Sequence, residues 1–163
     1  NKAVLGTNPD LCWGNPHAGK LKDPVKYDSP EEGLEEYPAF ARLIEEAEKY
    51  IGYPYVWGGS KPTTSFDCSG FVCWVFTNSG VLNMGRMGAI AIYQSCTAIT
   101  PEEAQPGDLV FFEGTIPRDD RITHVGIYCG NNMMIHCGDP ITYADLTDSY
   151  WVQHFYGFAR PRL

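Results

Sequence analysis

The sequence has few basic residues and no long apolar run. Lys and Arg number 12 against 20 Asp and Glu, which leaves a formal net charge of −8. Nucleic acids and anionic membranes are bound mainly through Lys and Arg. No stretch approaches the roughly 20 apolar residues that a membrane-spanning helix needs. We therefore expect neither a nucleic-acid partner nor a membrane span in this segment.

Paired cysteine motifs are also absent. The six cysteines include no Cys-x-x-Cys pair, so a structural zinc site is not expected. Their even number would permit disulfides, but the spacings show no framework and leave the disulfide state open. No cofactor or metal is implied. The chain has no initiator Met and no signal-peptide pattern, which we interpret as an excised domain or a mature product.

The length and composition suit one compact domain. The chain has 163 residues, of which 44% are hydrophobic, enough for a sizeable core. Prolines and glycines interrupt residues 1–34 at short intervals. We predict an irregular N-terminal arm or linker over residues 1–34 and a single domain over residues 35–163.

The hydrophobic pattern changes from helical to strand period along the domain. Apolar residues at helical spacing predict three helices in the first part of the domain: Pro38–Ile51, Cys68–Asn78 and, more weakly, Met87–Ser95. Alternating patterns and turn residues then predict strands: Asp108–Phe112, Thr123–Cys129, Met133–Cys137 and His154–Arg160. Helices followed by antiparallel strands indicate an α+β fold.

Cys68 lies at the predicted start of the second helix, between a glycine turn and the apolar run Phe71–Phe76. The start of a helix carries unpaired N–H groups and a partial positive charge. Both favour a thiolate, so a cysteine there is a candidate nucleophile. Asp67, directly before it, suits the N-cap position.

Two histidines fall on the predicted hairpin. If Cys129 lies opposite Met133 across a three-residue loop, His136 faces Gly126 and His124 lies two residues along on the same face. Diagonal neighbours on one face are roughly 7–8 Å apart, so the imidazoles can meet. A two-residue loop would place them on opposite faces. The pattern indicates a cysteine hydrolase in which His124 is the base and His136 orients it.

Five segments, in order, resemble the successive motifs of the NlpC-type cell-wall cysteine peptidases, over about residues 38–162. They are Gly52–Gly59 (GYPYVWGG), Phe66–Phe71 (FDCSGF), Pro106–Phe112 (PGDLVFF), His124–Tyr128 (HVGIY) and Met134–His136 (MIH). The resemblance implies a papain-like fold, with the nucleophile at a helix start packed on a C-terminal antiparallel sheet. It also implies cleavage of peptidoglycan stem peptides, commonly between D-γ-glutamate and the diamino acid.

The same resemblance implies roles for individual residues. Cys68 would be the nucleophile, His124 the base and His136 the orienting residue. Tyr55 would assist the oxyanion site together with the backbone N–H of Cys68, although packing is the default role of a tyrosine. The residues expected to line the substrate cleft are Asp67, Ser69 and Trp57.

The resemblance also bears on context. The segment Met84–Ala89 is similar to wall hydrolases carried by conjugative elements of Gram-positive bacteria. We expect a monomer that is extracellular or wall-associated, as a domain of a larger secreted or membrane-anchored protein, with a peptidoglycan peptide as its substrate. Two alternatives stay open: a related cysteine–histidine amidase that cuts the sugar–peptide bond, and a catalytically silent wall-binding module.

Overall fold

The computed structural model describes residues 29–30, 32–117 and 121–163. The predicted arm over residues 1–34 falls mostly outside the described residues, and its boundary stays a prediction. The helices are α1 (Pro38–Ala47), α2 (Cys68–Asn78), α3 (Ala89–Ser95) and α4 (Ser149–His154). The strands are β1 (Ser60–Lys61), β2 (Ser65–Phe66), β3 (Cys96–Ile99), β4 (Leu109–Phe112), β5 (His124–Gly130), β6 (Met133–Cys137), β7 (Ile141–Asp145) and β8 (Phe155–Pro161).

The main sheet has six strands in the order β3-β8-β4-β5-β6-β7, and all its pairs are antiparallel. The strands β1 and β2 form a separate small hairpin just before α2. The α+β architecture is the predicted one. The sequence pattern does not indicate β3, β7 or α4, because each has only four to six residues and no full hydrophobic period.

Helices α1, α2 and α3 pack on one face of the main sheet. Helix α1 ends at Ala47 and continues as a 3-10 turn over Glu48–Tyr50, where the sequence predicted one helix to Ile51. The largest fully buried side chains of this core include Phe40, Leu43, Phe66, Phe71, Phe76 and Ile127. The opposite face carries a smaller cluster: Val110, Phe112, Met134 and Phe158, with Trp151 of α4 against it. None of the described helices is long and apolar enough to cross a membrane.

The β5–β6 hairpin has the predicted register but a different turn. Ile127 lies opposite Ile135, as expected. Asn131 and Asn132 form a two-residue turn with positive φ at both positions, as such turns require. The register shifts at Cys129, so a bulge takes up one residue. Because of this bulge, the short turn still leaves both histidines on one face.

Gly126, two residues after His124 in β5, has no side chain, so β6 and its His136 can lie close to β5. A Cβ atom at Gly126 would lie 2.6 Å from Sδ of Met134 and 3.1 Å from Cβ of His136. A larger residue would therefore have to displace Sδ of Met134 and would press on Cβ of His136. The glycine therefore helps to position the site.

Candidate active site

Asp67 fixes the start of α2. Its Oδ1 accepts the N–H of Gly70 at 2.7 Å, which confirms the predicted N-cap. Its Oδ2 accepts the N–H of Gly58 at 3.1 Å and so ties the preceding turn to the helix. A Cβ atom at Gly70 would lie only 2.1 Å from the carbonyl oxygen of Gly59, so no side chain fits there. These contacts hold Cys68 at the first turn of α2.

The thiol of Cys68 is buried, with 5% of the residue exposed. Its Sγ lies 3.9 Å from the carbonyl oxygen of Thr123, the residue that precedes β5. Burial, and then the charge of Asp67, raise the pKa of Cys68 to about 12. The backbone N–H groups of Val125 and Ser69 lower this pKa without compensating. The sequence predicted the opposite direction, because the helix start alone favours a thiolate whereas desolvation disfavours it.

The two histidines form a buried hydrogen-bonded pair. Nε2 of His124 and Nδ1 of His136 lie 2.8 Å apart, with the rings at 84° to each other. Burial, together with the neighbouring His136, holds the pKa of His124 well below its usual value. Burial alone lowers the pKa of His136 to about 4. Both rings are therefore neutral at neutral pH.

The direction of this hydrogen bond decides whether His124 can act as a base. A neutral imidazole has one N–H and one acceptor nitrogen. If Nε2 of His124 donates to His136, Nδ1 of His124 stays available to accept a proton. In the reverse arrangement Nδ1 carries the hydrogen and cannot accept. Base catalysis by His124 therefore requires His136 to be the acceptor.

The structure places Cys68 beside the strand that carries His124 but does not pair the two side chains. Between these two described residues there is no hydrogen bond, since Sγ faces the carbonyl of Thr123. The resting site is thus a neutral thiol next to a neutral imidazole. Proton transfer requires Sγ and the ring to come within hydrogen-bond distance.

Trp151 of α4 covers the histidine pair, and sequence analysis missed it. Its ring stacks on His124 at 5.4 Å between centroids and 22° between planes. It meets His136 edge-on at 5.1 Å and 86°, and rests on Phe112 at 4.7 Å. The indole therefore excludes water from one side of the pair. A tryptophan in a six-residue helix gives no periodic signal that sequence analysis could use.

Two pockets adjoin along the cleft. The nucleophile pocket, of about 320 Å³, is lined among others by Cys68, Asp67, Ser69, Arg86 and Met87. The imidazole pocket, of about 370 Å³, is lined among others by His124, His136, Asp139, Tyr150 and Trp151. The residues common to both are Tyr55, Trp57, Ile116 and Thr123. The seven predicted site residues all line at least one of these pockets.

Tyr55 lies where the two pockets meet. Its backbone bridges Phe66, next to the start of α2, and its N–H donates to Oδ1 of Asp139 at 3.1 Å. The residue is half-buried. The backbone of Tyr55 is therefore held from both sides of the cleft. Trp57 is 45% exposed at the same junction.

Arg86 is the charged residue of the nucleophile pocket that sequence analysis did not assign. Its guanidinium donates to both carboxylate oxygens of Asp67, at 3.1 and 2.9 Å, and to Oγ of Ser69 at 2.9 Å. The carbonyl of Met87 accepts a further bond at 2.7 Å. A lone arginine in a loop has no positional signal in a single sequence. The side chain is 38% exposed and thus reachable from the cleft.

The described residues contain no group of three or more His, Cys, Asp or Glu side chains that could hold a metal ion. Among the described residues, Cys68, Cys73, Cys96 and Cys129 form no disulfide. The site presents a thiol, two imidazoles, a phenol and backbone N–H groups.

Comparison with known proteins identifies this arrangement. A family model described as the NlpC/P60 family matches residues 52–160, a range that includes every residue of the site named above. The chain belongs to the NlpC/P60 family. This confirms three predictions: the family, its papain-like α+β fold, and an enzyme of the hydrolase class.

Individual relatives are similar over most of the chain. The chain is 45% identical over 122 residues to the "bifunctional muramidase/DL-endopeptidase CwlT" of Bacillus subtilis, covering 74% of this chain and 36% of that protein. It is 32% identical over 167 residues to the "gamma-DL-glutamyl hydrolase" of Bacillus subtilis, a match that covers 98% of this chain and 37% of that protein. A solved NLP/P60 family structure from Staphylococcus aureus matches with a TM-score of 0.73 at 41% identity. The match covers 85% of this chain and 44% of that chain. The chain thus spans less than half the length of each of these proteins.

Proposed function

We propose that this chain is a cysteine peptidase domain that hydrolyses peptidoglycan stem peptides at the bond between D-γ-glutamate and the diamino acid. The observation that carries the proposal is the cleft itself, in which Cys68 at a helix start adjoins a buried histidine pair. The names of the relatives, a DL-endopeptidase and a gamma-DL-glutamyl hydrolase, favour this bond.

The steps follow from the chemistry of the residues. When substrate enters the cleft, Sγ of Cys68 turns from the Thr123 carbonyl, gives its proton to His124 and attacks the carbonyl carbon. The tetrahedral intermediate places its oxyanion near the N–H of Cys68 and the phenol of Tyr55. His124 then gives the proton to the leaving amine, and a thioester remains on Cys68. Water, activated by His124, hydrolyses the thioester and restores the thiol.

The histidine pair suits this neutral starting state. His136 accepts the Nε2–H of His124 and stabilises the imidazolium that forms during attack. It carries no charge of its own, so burial costs less than for a carboxylate. A free-enzyme base with a lowered pKa stays active below pH 6.5, the ordinary value of histidine.

The nucleophile pocket supports an acidic residue on the acyl side of the bond. D-γ-Glutamate is linked through its side chain, so its α-carboxylate is free. The half-exposed guanidinium of Arg86, oriented by Asp67 and Ser69, can meet that carboxylate. Trp57 at the junction would form the adjoining wall. Asp67, Ser69 and Trp57 are accordingly proposed as cleft residues for substrate.

The substrate sets the compartment. Peptidoglycan lies outside the cytoplasmic membrane, so the domain would act extracellularly or in the wall, as part of a longer secreted or membrane-anchored protein. We propose that the domain acts as a monomer, because one chain supplies the nucleophile, the base and the orienting residue.

Mass spectrometry of defined muropeptides tests the function. We expect products that end in D-γ-glutamate and new peptides that begin with the diamino acid. Release of the intact stem peptide from the sugar would instead identify an amidase. Binding of muropeptides without any product, by the wild-type chain with Cys68 intact, would identify a silent wall-binding module.

Arg86 offers a sharper test of the acyl-side assignment. A stem peptide with D-isoglutamine in place of D-glutamate lacks the free carboxylate. We expect the wild-type enzyme to prefer the carboxylate form and Arg86→Gln to lose that preference. An equal preference in both enzymes would remove Arg86 from substrate binding and leave it as the partner of Asp67.

A further inference from the structure

The side chain of Arg86 contacts both residues that flank Cys68. On one side of the nucleophile, its guanidinium lies 3.1 and 2.9 Å from the two carboxylate oxygens of Asp67. On the other side, it donates to Oγ of Ser69 at 2.9 Å. Oγ of Ser69 in turn donates to Oδ1 of Asp67 at 3.1 Å. A single side chain from outside α2 therefore holds both neighbours of the nucleophile.

The loop that carries Arg86 is itself attached to α2. The guanidinium donates to the carbonyl oxygen of Met87 at 2.7 Å, which fixes the side chain against its own loop. The N–H of Met87 donates to Sγ of Cys73, a buried residue of α2, at 3.4 Å. Arg86 thus starts from a fixed backbone, and its planar fork matches a carboxylate in a way that the ammonium of a lysine cannot.

Two opposite charges lie next to the thiol of Cys68. Among the described residues that line the nucleophile pocket, Asp67 and Arg86 are the charged ones, and Tyr55 adds a titratable phenol. Across the cleft, burial lowers the pKa of both imidazoles and keeps them neutral. The side chain of Asp67 is 13% exposed, so water screens its charge little. Burial raises the pKa of Cys68 most, the charge of Asp67 raises it further, and the charge of Arg86 lowers it.

We propose that Arg86 is a positioning residue for the nucleophile: it holds Asp67 and Ser69 around Cys68, and its charge offsets that of Asp67 at the thiol. The cap of α2 places a carboxylate beside a thiol that must ionise, and Arg86 reduces that conflict. This role applies before substrate binds and is separate from contact with a substrate carboxylate. It rests on the proposed role of Cys68 as the nucleophile, but not on which bond is cut.

Iodoacetamide labelling of Cys68 without substrate tests the charge, because the thiolate is the species that reacts. Arg86→Lys and Arg86→Gln both lose the two-pronged contact with Asp67, but only the first keeps the positive charge. We expect Arg86→Gln to label about three- to tenfold more slowly than Arg86→Lys from pH 7 to 9, since one pKa unit changes the thiolate fraction tenfold. Tandem mass spectrometry assigns the label to Cys68 and not to Cys73.

Asp67→Asn should have the opposite effect. Asparagine is as good an N-cap as aspartate, and it removes the negative charge, so Cys68 should label about three- to tenfold faster than in the wild type. The double variant Asp67→Asn/Arg86→Gln should label at least as fast as the wild type, because Asp67 has the larger effect on the thiol. Damage to the helix start would instead expose the thiol and speed its labelling in every variant.

Arg42→Gln is the matched control for a lost positive charge. Arg42 is exposed on α1, lines neither pocket of the cleft and lies near Gly80, just past the far end of α2. We expect its labelling of Cys68 to equal that of the wild type.

Turnover of a stem peptide with D-isoglutamine tests how Arg86 holds the nucleophile. This peptide lacks the free carboxylate that Arg86 could bind, so a loss of kcat reports on the nucleophile itself. We expect Arg86→Lys to lower kcat about tenfold, because the first turn of α2 is held less rigidly. Arg86→Gln should lower it about threefold further, since the thiolate is also less accessible in energy.

The outcomes separate this proposal from the proposed function. Equal labelling of Cys68 in Arg86→Lys and Arg86→Gln, or slower labelling in Asp67→Asn, would overturn the charge role of Arg86 while hydrolysis stands. Wild-type kcat of Arg86→Lys on the D-isoglutamine peptide would overturn its holding role. If no peptide is cleaved by the wild type, the proposed function fails, and the labelling rates still decide the proposal because they need no substrate.

Discussion

The two sides of the cleft differ in how local their construction is. The helix side is built within a short stretch, since Asp67 caps α2 and Gly58 and Gly70 bind the cap. The sheet side needs two strands and a helix from three separate segments to bring His124, His136 and Trp151 together. A nucleophile at a helix start can therefore be specified locally, whereas its base depends on tertiary structure.

The two sides also differ in electrostatics. A helix start favours charge on the thiol, yet burial raises the pKa of Cys68 to about 12. On the sheet side, burial favours the neutral form of both imidazoles. Desolvation therefore dominates on both sides and gives a neutral pair in place of a thiolate–imidazolium pair. Changes to either side can test this balance.

The largest effect is expected for Cys68→Ala. Removal of the nucleophile should lower turnover by roughly 10⁴-fold or more. The fold should remain, since alanine is tolerated at the first turn of a helix. Muropeptide hydrolysis and circular dichroism measure the two properties. A variant that still hydrolyses substrate would remove Cys68 from its proposed role.

Alkylation of the wild-type thiol tests the electrostatic side of the comparison. With a raised pKa, the thiolate fraction of Cys68 grows about tenfold for each pH unit up to about 12. The rate of iodoacetamide labelling in the absence of substrate should therefore rise steadily from pH 7 to 10. Cys68→Ala gives the background from the other cysteines. A rate that is already maximal at pH 7 would show that the helix start outweighs burial.

His124→Ala should be the next largest change. Among the described lining residues of the nucleophile pocket there is no histidine, and its one carboxylate, Asp67, is paired with Arg86, so turnover should fall by roughly 10²–10⁴-fold. In the wild-type enzyme the acid limb of kcat/KM should lie below pH 6.5, because burial lowers the pKa of the base. An acid limb at or above pH 6.5 would contradict a buried, neutral resting imidazole.

Tyr55→Phe separates an oxyanion donor from a packing residue. The change removes one hydroxyl and keeps the ring in the wall of both pockets. Loss of one oxyanion donor typically costs on the order of a hundredfold in turnover, and the melting temperature should stay nearly unchanged. Turnover equal to that of the wild type would leave backbone N–H groups as the oxyanion donors.

His136→Ala should cost less than His124→Ala, because His136 orients the ring and transfers no proton to substrate. We expect roughly a tenfold to hundredfold loss, as for partners that orient metal-bound histidines. His136→Asn should recover part of it, since its amide oxygen can accept the Nε2–H of His124. If alanine and asparagine behave alike, acceptance of that hydrogen bond is not the role of His136.

The sequence predicted the parts of this site that depend on local patterns. It predicted α2 from Cys68 to Asn78, and the Asp67 cap, because capping and burial act within one turn. It also predicted the register that joins the two histidines, although by a loop of the wrong length that the bulge at Cys129 compensates. The raised pKa of Cys68 could not be predicted, because burial is set by residues distant in sequence.

Arg86 and Trp151 show why the remaining contacts were missed. Arg86 lies 19 positions from Asp67, and nothing in the sequence between them indicates that they pair. Trp151 reaches the histidines only because β7 and α4 return the chain across β6 and β4. Neither element has enough residues for a hydrophobic period. Contacts made by short elements of this kind require the folded structure.

The smallest expected effect is that of Trp151, and it tests whether the sheet side needs its cover. Trp151→Phe keeps an aromatic face on His124, so turnover should fall by only about two- to tenfold, the value of a typical aromatic pair. Trp151→Ala opens the histidine pair to water. Because desolvation is what lowers the pKa of His124, that pKa should rise toward its ordinary value, and the acid limb of kcat/KM should move to higher pH.

A tryptophan that only packs against Phe112 would lower the melting temperature in both variants without moving the acid limb. Measurement of kcat/KM from pH 4.5 to 8 in the two variants, well below their melting temperatures, distinguishes the two roles. An unshifted limb in Trp151→Ala would show that the strands alone keep water from the pair.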